Sequence, residues 1–485
     1  MSTTFCLLLG VAAAVFSPST AAAASADEPP DLHAQWRARH PEVAPWTSNE
    51  ALRAAASDVV TSVPAPRFTL NLDDPPQERW SAIAAVYKSE AYKITDYLKS
   101  QLPSWAFPIL IEIAANLEPY FTDYGDEMIG LAEGLGLDLG DIVATNLVYQ
   151  LERIGVNCSN WNNTGPTSGG DDAIPRGLGC DEALTAWDEE RLSRALPTGP
   201  AGRCTSIVAQ DAAGFVAHGR NLDWNIPDAL KDFVVDVDFY RGGQLIYTGT
   251  TAVGFVGMLN GMRHGSSSSS SSSGGGGSSR SRNRSTNGET AREAWSVSMD
   301  ARNHGGRIPL NLAQALKTHA LTPEQALRKA LESDAWGAGG FEQAVDALST
   351  VQLVDDVYYV MAGGGGSNQL AVVTRARNAA VDVWRLDPPH GENPPWWLVE
   401  TNYDHWKAVP KADDRRDPAN EYMAALGSTE GTTLDTMLRD VMSEWPVFNP
   451  HTTFTTMINP YTGAYNSTVW YGNAAAAAAV VTKQG

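Results

Sequence analysis

The densest concentration of reactive side chains in this 485-residue chain lies between residues 204 and 224. The run Cys204-Thr205-Ser206-Ile207-Val208-Ala209-Gln210-Asp211 is followed by His218-Gly219-Arg220-Asn221-Leu222-Asp223-Trp224. Cys204 opens a β-branched run that predicts a strand. The second run predicts another and ends with Arg220 and Asp223 three residues apart. Two adjacent strands bring a thiol, a permanent cation and a carboxylate together, a set in which sulfur can act as a nucleophile, because a neighbouring guanidinium favours the thiolate. The same residues have plainer readings. A buried free cysteine packs as a small apolar group, and an Arg–Asp pair at a strand end is an ordinary ion pair.

Other chemistries are missing their signatures. There is no G-x-x-x-x-G-K-[ST], H-E-x-x-H or G-x-S-x-G, and no paired Cys/His zinc spacing. The net charge of −21, from 56 acidic and 35 basic residues, excludes nucleic acid as a partner, since phosphate recognition needs clustered Lys and Arg. The apolar run from Phe5 to Phe16, followed by small residues to Ala24, reads as a cleavable signal peptide over 1–24. It implies the secretory pathway, ending in a lysosome or vacuole or outside the cell. Asn157, Asn162, Asn283 and Asn466 stand in N-x-Ser/Thr glycosylation sequons. Of the four cysteines, Cys6 leaves with the signal and Cys158 can pair with Cys180, which leaves Cys204 as the odd thiol.

The elements that position these groups follow from periodicity. Residues 25–65, rich in Ala, Pro and Asp, read as a loosely ordered leader. Residues 66–156 are mainly helical after a strand at Phe68–Leu72. Asp74-Pro75 starts a helix with Ile83, Tyr87, Ala91, Ile94 and Leu98 on one face, and further helices are predicted from Trp105 to Leu117 and from Leu139 to Leu151. The apolar run Trp105, Phe107, Ile109, Leu110, Ile111 suits core packing or peripheral contact with a membrane or lipid aggregate. Residues 157–203 form an insertion just before Cys204. From 204 to 485 the texture changes to short strands interrupted by helical patterns between about 308 and 348, with a Ser/Gly-rich loop at about 264–290 too low in complexity to pack. The whole predicts an α+β, sandwich-like layered arrangement.

The segment from Cys204 to Trp224 resembles the start of the catalytic chain in the acid ceramidase and N-acylethanolamine-hydrolysing acid amidase family, relatives of the cholylglycine hydrolases. Matching stretches recur in order at Phe68 to Trp80, Tyr247 to Thr251, Gly254 to Gly257, Asp356 to Tyr359, Thr401 to Lys407 and Asp413 to Arg416. The resemblance implies an N-terminal-nucleophile αββα four-layer sandwich with a helical N-terminal α-chain segment. It also implies self-cleavage before Cys204, giving an α/β heterodimer from one precursor. Cys204 then attacks the amide of a lipid N-acyl amide, a ceramide or an N-acylethanolamine, through a thioester acyl-enzyme, without metal or cofactor. An ordinary thiol at pH 4.5 is short of its thiolate by roughly 5 kcal/mol. The α-amine freed at Cys204 would accept the thiol proton, Arg220 would favour the thiolate, and Asp223 would hold the α-amine. By the same resemblance, Asn402 helps form the oxyanion hole and Arg415 lies near the active site, although a turn asparagine and an ion pair with Asp413 or Asp414 are plainer roles. Trp224, Trp396 and Trp397 could line a slot for the acyl chain.

Three departures stand out. Ala301 replaces a family Glu within Asp300-Ala301-Arg302. Arg203 stands before the nucleophile where relatives have an apolar residue. No cysteine other than Cys204 follows the cleavage point, so the chains would stay together by packing alone. The first two motivate an alternative reading as a catalytically impaired, lipid-binding homologue. A cholylglycine-hydrolase-like amidase is a further alternative, against which the helical leader and its Phe68–Trp80 match speak.

Overall fold

The computed structural model describes residues 61–100, 107–121, 124–151, 203–211, 215–224, 226–265, 293–302, 320–365, 369–386, 396–410, 413–427, 433–449 and 451–472. The expected signal peptide, Cys158 and Cys180, the sequons at Asn157, Asn162 and Asn283, Trp105 and the low-complexity loop beyond residue 265 lie outside the described residues. The fourth sequon residue, Asn466, is exposed on a strand.

Two sheets pack face to face, and most of their strands are buried along their length because layers cover them from both sides. One runs β1 (Thr61–Pro64), β14 (Ala464–Tyr471), β13 (Thr452–Asn459), β4 (Val216–Asp223), β3 (Arg203–Gln210), β12 (Trp397–Glu400). The other runs β11 (Ala380–Arg385), β10 (Leu370–Arg375), β9 (Val357–Gly363), β8 (Trp295–Ala301), β7 (Asn260–Arg263), β6 (Gln244–Ala252), β5 (Val234–Arg241), β2 (Arg67–Asn71). The described pairings are antiparallel except β2 with β5. β3 and β4 are buried along nearly their whole length because both of their faces are covered. On the outer face, Ile207, Ala209 and Ala217 pack beneath Met423, Met437 and Val441. A side chain at Gly219 would meet Met442 Sδ at 2.9 Å, which explains glycine between His218 and Arg220.

Helices cover the other sheet. Trp80 packs edge-on against Phe239, Tyr87 lies 5.4 Å from Phe233 between ring centroids, and the helix Pro323–Glu332 buries Ala326, Leu327, Ala330 and Leu331 in the same core. The layers are therefore α, β, β, α, the α+β sandwich expected from the sequence.

Details differ from the sequence reading. Residues Thr61–Pro64, assigned to the leader, form the edge strand β1, because pairing with β14 supplies the backbone partners that a Pro-flanked segment cannot make alone. The expected first helix breaks into Pro76–Glu78, Ser81–Tyr87, Lys88–Glu90 and Tyr92–Ser100. Its apolar face persists across the breaks, with Ile83, Tyr87, Ala91, Ile94 and Leu98 all buried. A helix at Gly125–Leu135 and strands β7, β11, β13 and β14 were not anticipated. Phe107 and Ile111 of the suspected membrane-docking run are partly buried against the core.

Candidate active site

The antiparallel register of β3 and β4 sets Cys204 opposite Leu222, Ser206 opposite Arg220 and Arg203 opposite Asp223. Side chains alternate across a sheet, so Cys204, Ser206 and Arg220 share the inner face while Thr205 and Asp223 share the outer one. Arg220 and Asp223, read together in the sequence, thus stand on opposite sides of the sheet. Arg220 Nη2 lies 3.5 Å from Cys204 Sγ and 3.2 Å from the Met299 carbonyl, and its guanidinium is 5.1 Å from the Phe454 ring centroid. Cys204 is fully buried. Burial pushes its thiol up to about 11 against the lowering pull of Arg220 and of the Tyr149 hydroxyl, with Asp300 and Asp223 adding to the rise. The expected lowering by Arg220 is therefore present, but desolvation outweighs it in the uncleaved chain.

At the strand end Arg415, just before the helix Arg416–Leu426, gathers the backbone. Its Nη1 donates to the Cys204 carbonyl, to Thr205 Oγ1 (3.1 Å) and to Asp223 Oδ2 (3.5 Å), its Nη2 to Asn402 Oδ1 (2.7 Å), and its Nε to Asp413 Oδ1 (2.9 Å). It is a buried organiser rather than a surface ion pair. Asn402 Oδ1 also accepts from the Cys204 backbone N–H at 2.8 Å, while its Nδ2 donates to the Ala301 carbonyl at 2.8 Å. Those contacts fix which way the carboxamide points. In the uncleaved chain its Oδ1 accepts from the Cys204 nitrogen, and one of its two Nδ2–H groups is taken by the Ala301 carbonyl. Asp223, expected on the α-amine, accepts in the uncleaved chain from Thr452 Oγ1 (2.7 Å), Asn449 Nδ2 (2.7 Å) and Arg415. Burial raises its carboxyl, with Arg415 and these hydrogen bonds opposing.

One participant has no motif. Tyr149, in the helix Val148–Leu151 at the end of the helical segment, places its hydroxyl 3.7 Å from Cys204 Sγ and packs edge-on against Trp224. A tyrosine 55 residues before the thiol carries no local signal, and only docking of the helical segment onto the sandwich brings it there. Of the tryptophans suggested as acyl-chain liners, Trp224 is at the site. Trp396 and Trp397 pack instead on the outer layer with Met423, and Trp397 Nε1 donates to Asn420 Oδ1 at 2.8 Å.

The departures also have places. Ala301 points into the core between β8 and its helices, so only its carbonyl reaches the site. Arg203 forms a 3.4 Å ion pair with Asp413, the carboxylate that also holds Arg415. No group of His, Cys, Asp and Glu among the described residues could hold a metal ion.

A family model described as the beta subunit of N-acylethanolamine-hydrolyzing acid amidase matches residues 63–121. The segment expected as an α chain thus carries the beta label in that description. The mouse (Mus musculus) N-acylethanolamine-hydrolyzing acid amidase is 30% identical over 406 residues, 83% of this chain and 88% of the mouse protein. The acid ceramidase of Rattus norvegicus is 26% identical over 439 residues, 86% and 90% of the two chains. A solved Caenorhabditis elegans N-acylethanolamine-hydrolyzing acid amidase ortholog is 31% identical, with a TM-score of 0.41 covering 53% of this chain and 93% of the other.

Proposed function

The chain belongs to the family of N-acylethanolamine-hydrolysing acid amidases and acid ceramidases, and we propose that it hydrolyses the amide bond of lipid N-acyl amides with Cys204 as nucleophile. The products are a free fatty acid and either ethanolamine or a sphingoid base. The observation that carries this reading is the convergence on one residue: the sulfur, nitrogen and carbonyl oxygen of Cys204 are each held by a different buried side chain, Arg220, Asn402 and Arg415.

The chain cleaves itself before Cys204, and the new α-amine replaces the amide N–H on Asn402 Oδ1. The amine then accepts the thiol proton as sulfur adds to the substrate carbonyl. Collapse expels the amine of the substrate, which takes the proton, and leaves a thioester. Water, activated by the same α-amine, adds to the thioester and releases the fatty acid and the thiol. Arg220 stabilises the thiolate. The two segments remain together as a heterodimer, with Tyr149 of the N-terminal segment on the sulfur. Export through the secretory pathway suits this activity, and among the described residues no helix is long and apolar enough to cross a membrane.

Cleaved protein incubated separately with an N-acylethanolamine and a ceramide at acid pH tests the reading through the fatty acid released. Release from either supports it and identifies the preferred head group, whereas no release from either refutes it. A companion expectation concerns Arg415. Lysine cannot span the Cys204 carbonyl, Asn402 and Asp413 together, and a charge-assisted hydrogen bond contributes about 1.5–3 kcal/mol. Arg415→Lys should therefore lower kcat by roughly 10- to 100-fold, measured with the same assay, with a smaller change in KM.

A further inference from the structure

Between the sheets runs a chain of polar groups that the proposed hydrolysis does not use. Ser296, Ser298 and Asp300 alternate onto the face of β8 that meets β3 and β4. His218 places Nδ1 2.9 Å from Ser296 Oγ and Nε2 2.9 Å from Ser298 Oγ. Ser298 Oγ donates to Ser206 Oγ at 2.9 Å, and Ser206 Oγ donates to Asp300 Oδ1 at 2.8 Å. The chain ends beside Arg220. There, Asp300 Oδ2 and the Nε and Nη1 of Arg220 are buried and have no hydrogen-bond partner among the described residues. Apart from its contact with Cys204, Arg220 donates to one neutral carbonyl, that of Met299, the residue preceding Asp300.

We propose that Asp300 is a positioning residue for the nucleophile: from its seat on Ser206 it competes with the Cys204 sulfur for the Arg220 guanidinium. Its ionisation takes from the thiolate the cation that stabilises it. The inference rests on Cys204 being the nucleophile.

The surroundings make the competition decisive. Asp300 is hydrogen-bonded to Ser206 of β3 and faces the side of the sheet that carries Cys204 of β3, Arg220 and His218 of β4 and Glu400 of β12, with Tyr358 beside it on β9; the charges of Asp223 and Arg415 reach it from the far side of that sheet. Burial pushes Asp300 up to about 7, against the pull of Arg220, Ser206 and Arg415. Burial also raises Glu400 well above the usual carboxyl range, with Asp300 adding to the rise, and pushes His218 down to about 3. Between about pH 3 and pH 7, then, Asp300 and His218 are neutral and the charge of Arg220 is left to the sulfur. As pH rises through about 7, Asp300 ionises and the thiol becomes harder to deprotonate. The polar chain thus favours activity in acid.

The test replaces Asp300 with Asn, which keeps an acceptor for Ser206 but cannot ionise. The infrared S–H band of Cys204, isolated by subtracting the matching Cys204→Ala spectrum in each background, titrates the thiol in the full chain without substrate. At each alkaline pH the ratio of thiolate to thiol should be about tenfold higher in Asp300→Asn than in wild type, one pKa unit. Equal fractions at every pH overturn the proposal. If the Asn variant does not fold, Asp300→Ser gives the same readout. In the cleaved enzyme, the fall of kcat/KM above neutrality should be lost in Asp300→Asn. Ser206→Ala, which withdraws a hydrogen bond to the ionised carboxylate, should move that fall to higher pH. Because the thiol titration needs no substrate, an enzyme inactive on both lipid amides whose thiol still shifts refutes the functional reading alone.

Discussion

Cys204→Ala leaves the precursor as a single intact chain and abolishes fatty-acid release, with a loss in kcat on the order of 10³-fold or more, as for removal of an enzymatic nucleophile. The substitution removes only a buried sulfur, and the surrounding contacts on the Cys204 backbone, from Asn402 and Arg415, remain. The folded structure should therefore survive, so the loss reports chemistry. Intact mass and the N-terminal sequence of any fragment decide the first half. Wild type should yield a chain beginning at Cys204 and the variant none. A fragment beginning at residue 204 in the alanine variant would falsify self-cleavage by this thiol and point to an external protease acting at Arg203. In the uncleaved chain burial pushes the thiol up to about 11. The proposed cleavage would free an α-amine beside the sulfur and so change the electrostatics around it.

The second large effect lies far from the sulfur. Arg328, on the helix Pro323–Glu332, is fully buried and donates through both terminal nitrogens to both oxygens of Glu127, which belongs to the N-terminal helical segment. Arg79 Nη1 and Trp80 Nε1 donate to the same carboxylate at 2.8 and 2.6 Å. Tyr124 and Phe239 stand 4.7 and 5.2 Å from the guanidinium, and Tyr247 accepts from its Nε at 3.1 Å. Residues from both sides of the proposed cleavage point thus enclose the Glu127–Arg328 pair, to which Arg79 and Glu332 add further ion pairs. Burial by itself raises Glu127, yet the charge of Arg328 and the hydrogen bonds of Arg328, Trp80 and Arg79 overcome it and hold the carboxyl below its usual value. The stability it provides is therefore complete above the unfolded carboxyl pKa of about 4.3 and is lost only as pH falls through the lower folded value, so the clamp persists in mild acid.

Breaking a buried pair by removing one partner costs about 3–5 kcal/mol, and without Glu127 the two terminal nitrogens of Arg328 lose their carboxylate while its Nε keeps Glu332 Oε2 at 3.2 Å. Glu127→Ala should lower stability by that amount in urea unfolding of the precursor and cause the cleaved segments to separate on gel filtration at pH 5. The paired change Glu127→Leu with Arg328→Met should recover most of the loss. If the cleaved Glu127→Ala protein stays associated and unfolds at the wild-type urea concentration, the ion pair does not hold the segments together.

Much of this was readable from residue order. The runs of β3 and β4 read as two strands, and the resemblance to the amidase family implies roles for Cys204, Arg220, Asn402 and Arg415 without any geometry. Side-chain alternation within those strands determined that Arg220 shares a face with Cys204 only once the register was known; shifting the pairing by one residue would have exchanged Arg220 for Asn221. Register depends on which strands meet, which is a tertiary property. The same holds for the orientation of Asn402, decided by Arg415 and Ala301 arriving from separate segments, and for Tyr149 and the Glu127–Arg328 pair, which carry no sequence signal at separations of 55 and 201 residues. Local periodicity specified the strands and the helical faces because each follows from neighbours a few positions apart. The protonation states around the sulfur followed only from the three-dimensional arrangement, because desolvation depends on what covers a group from every side.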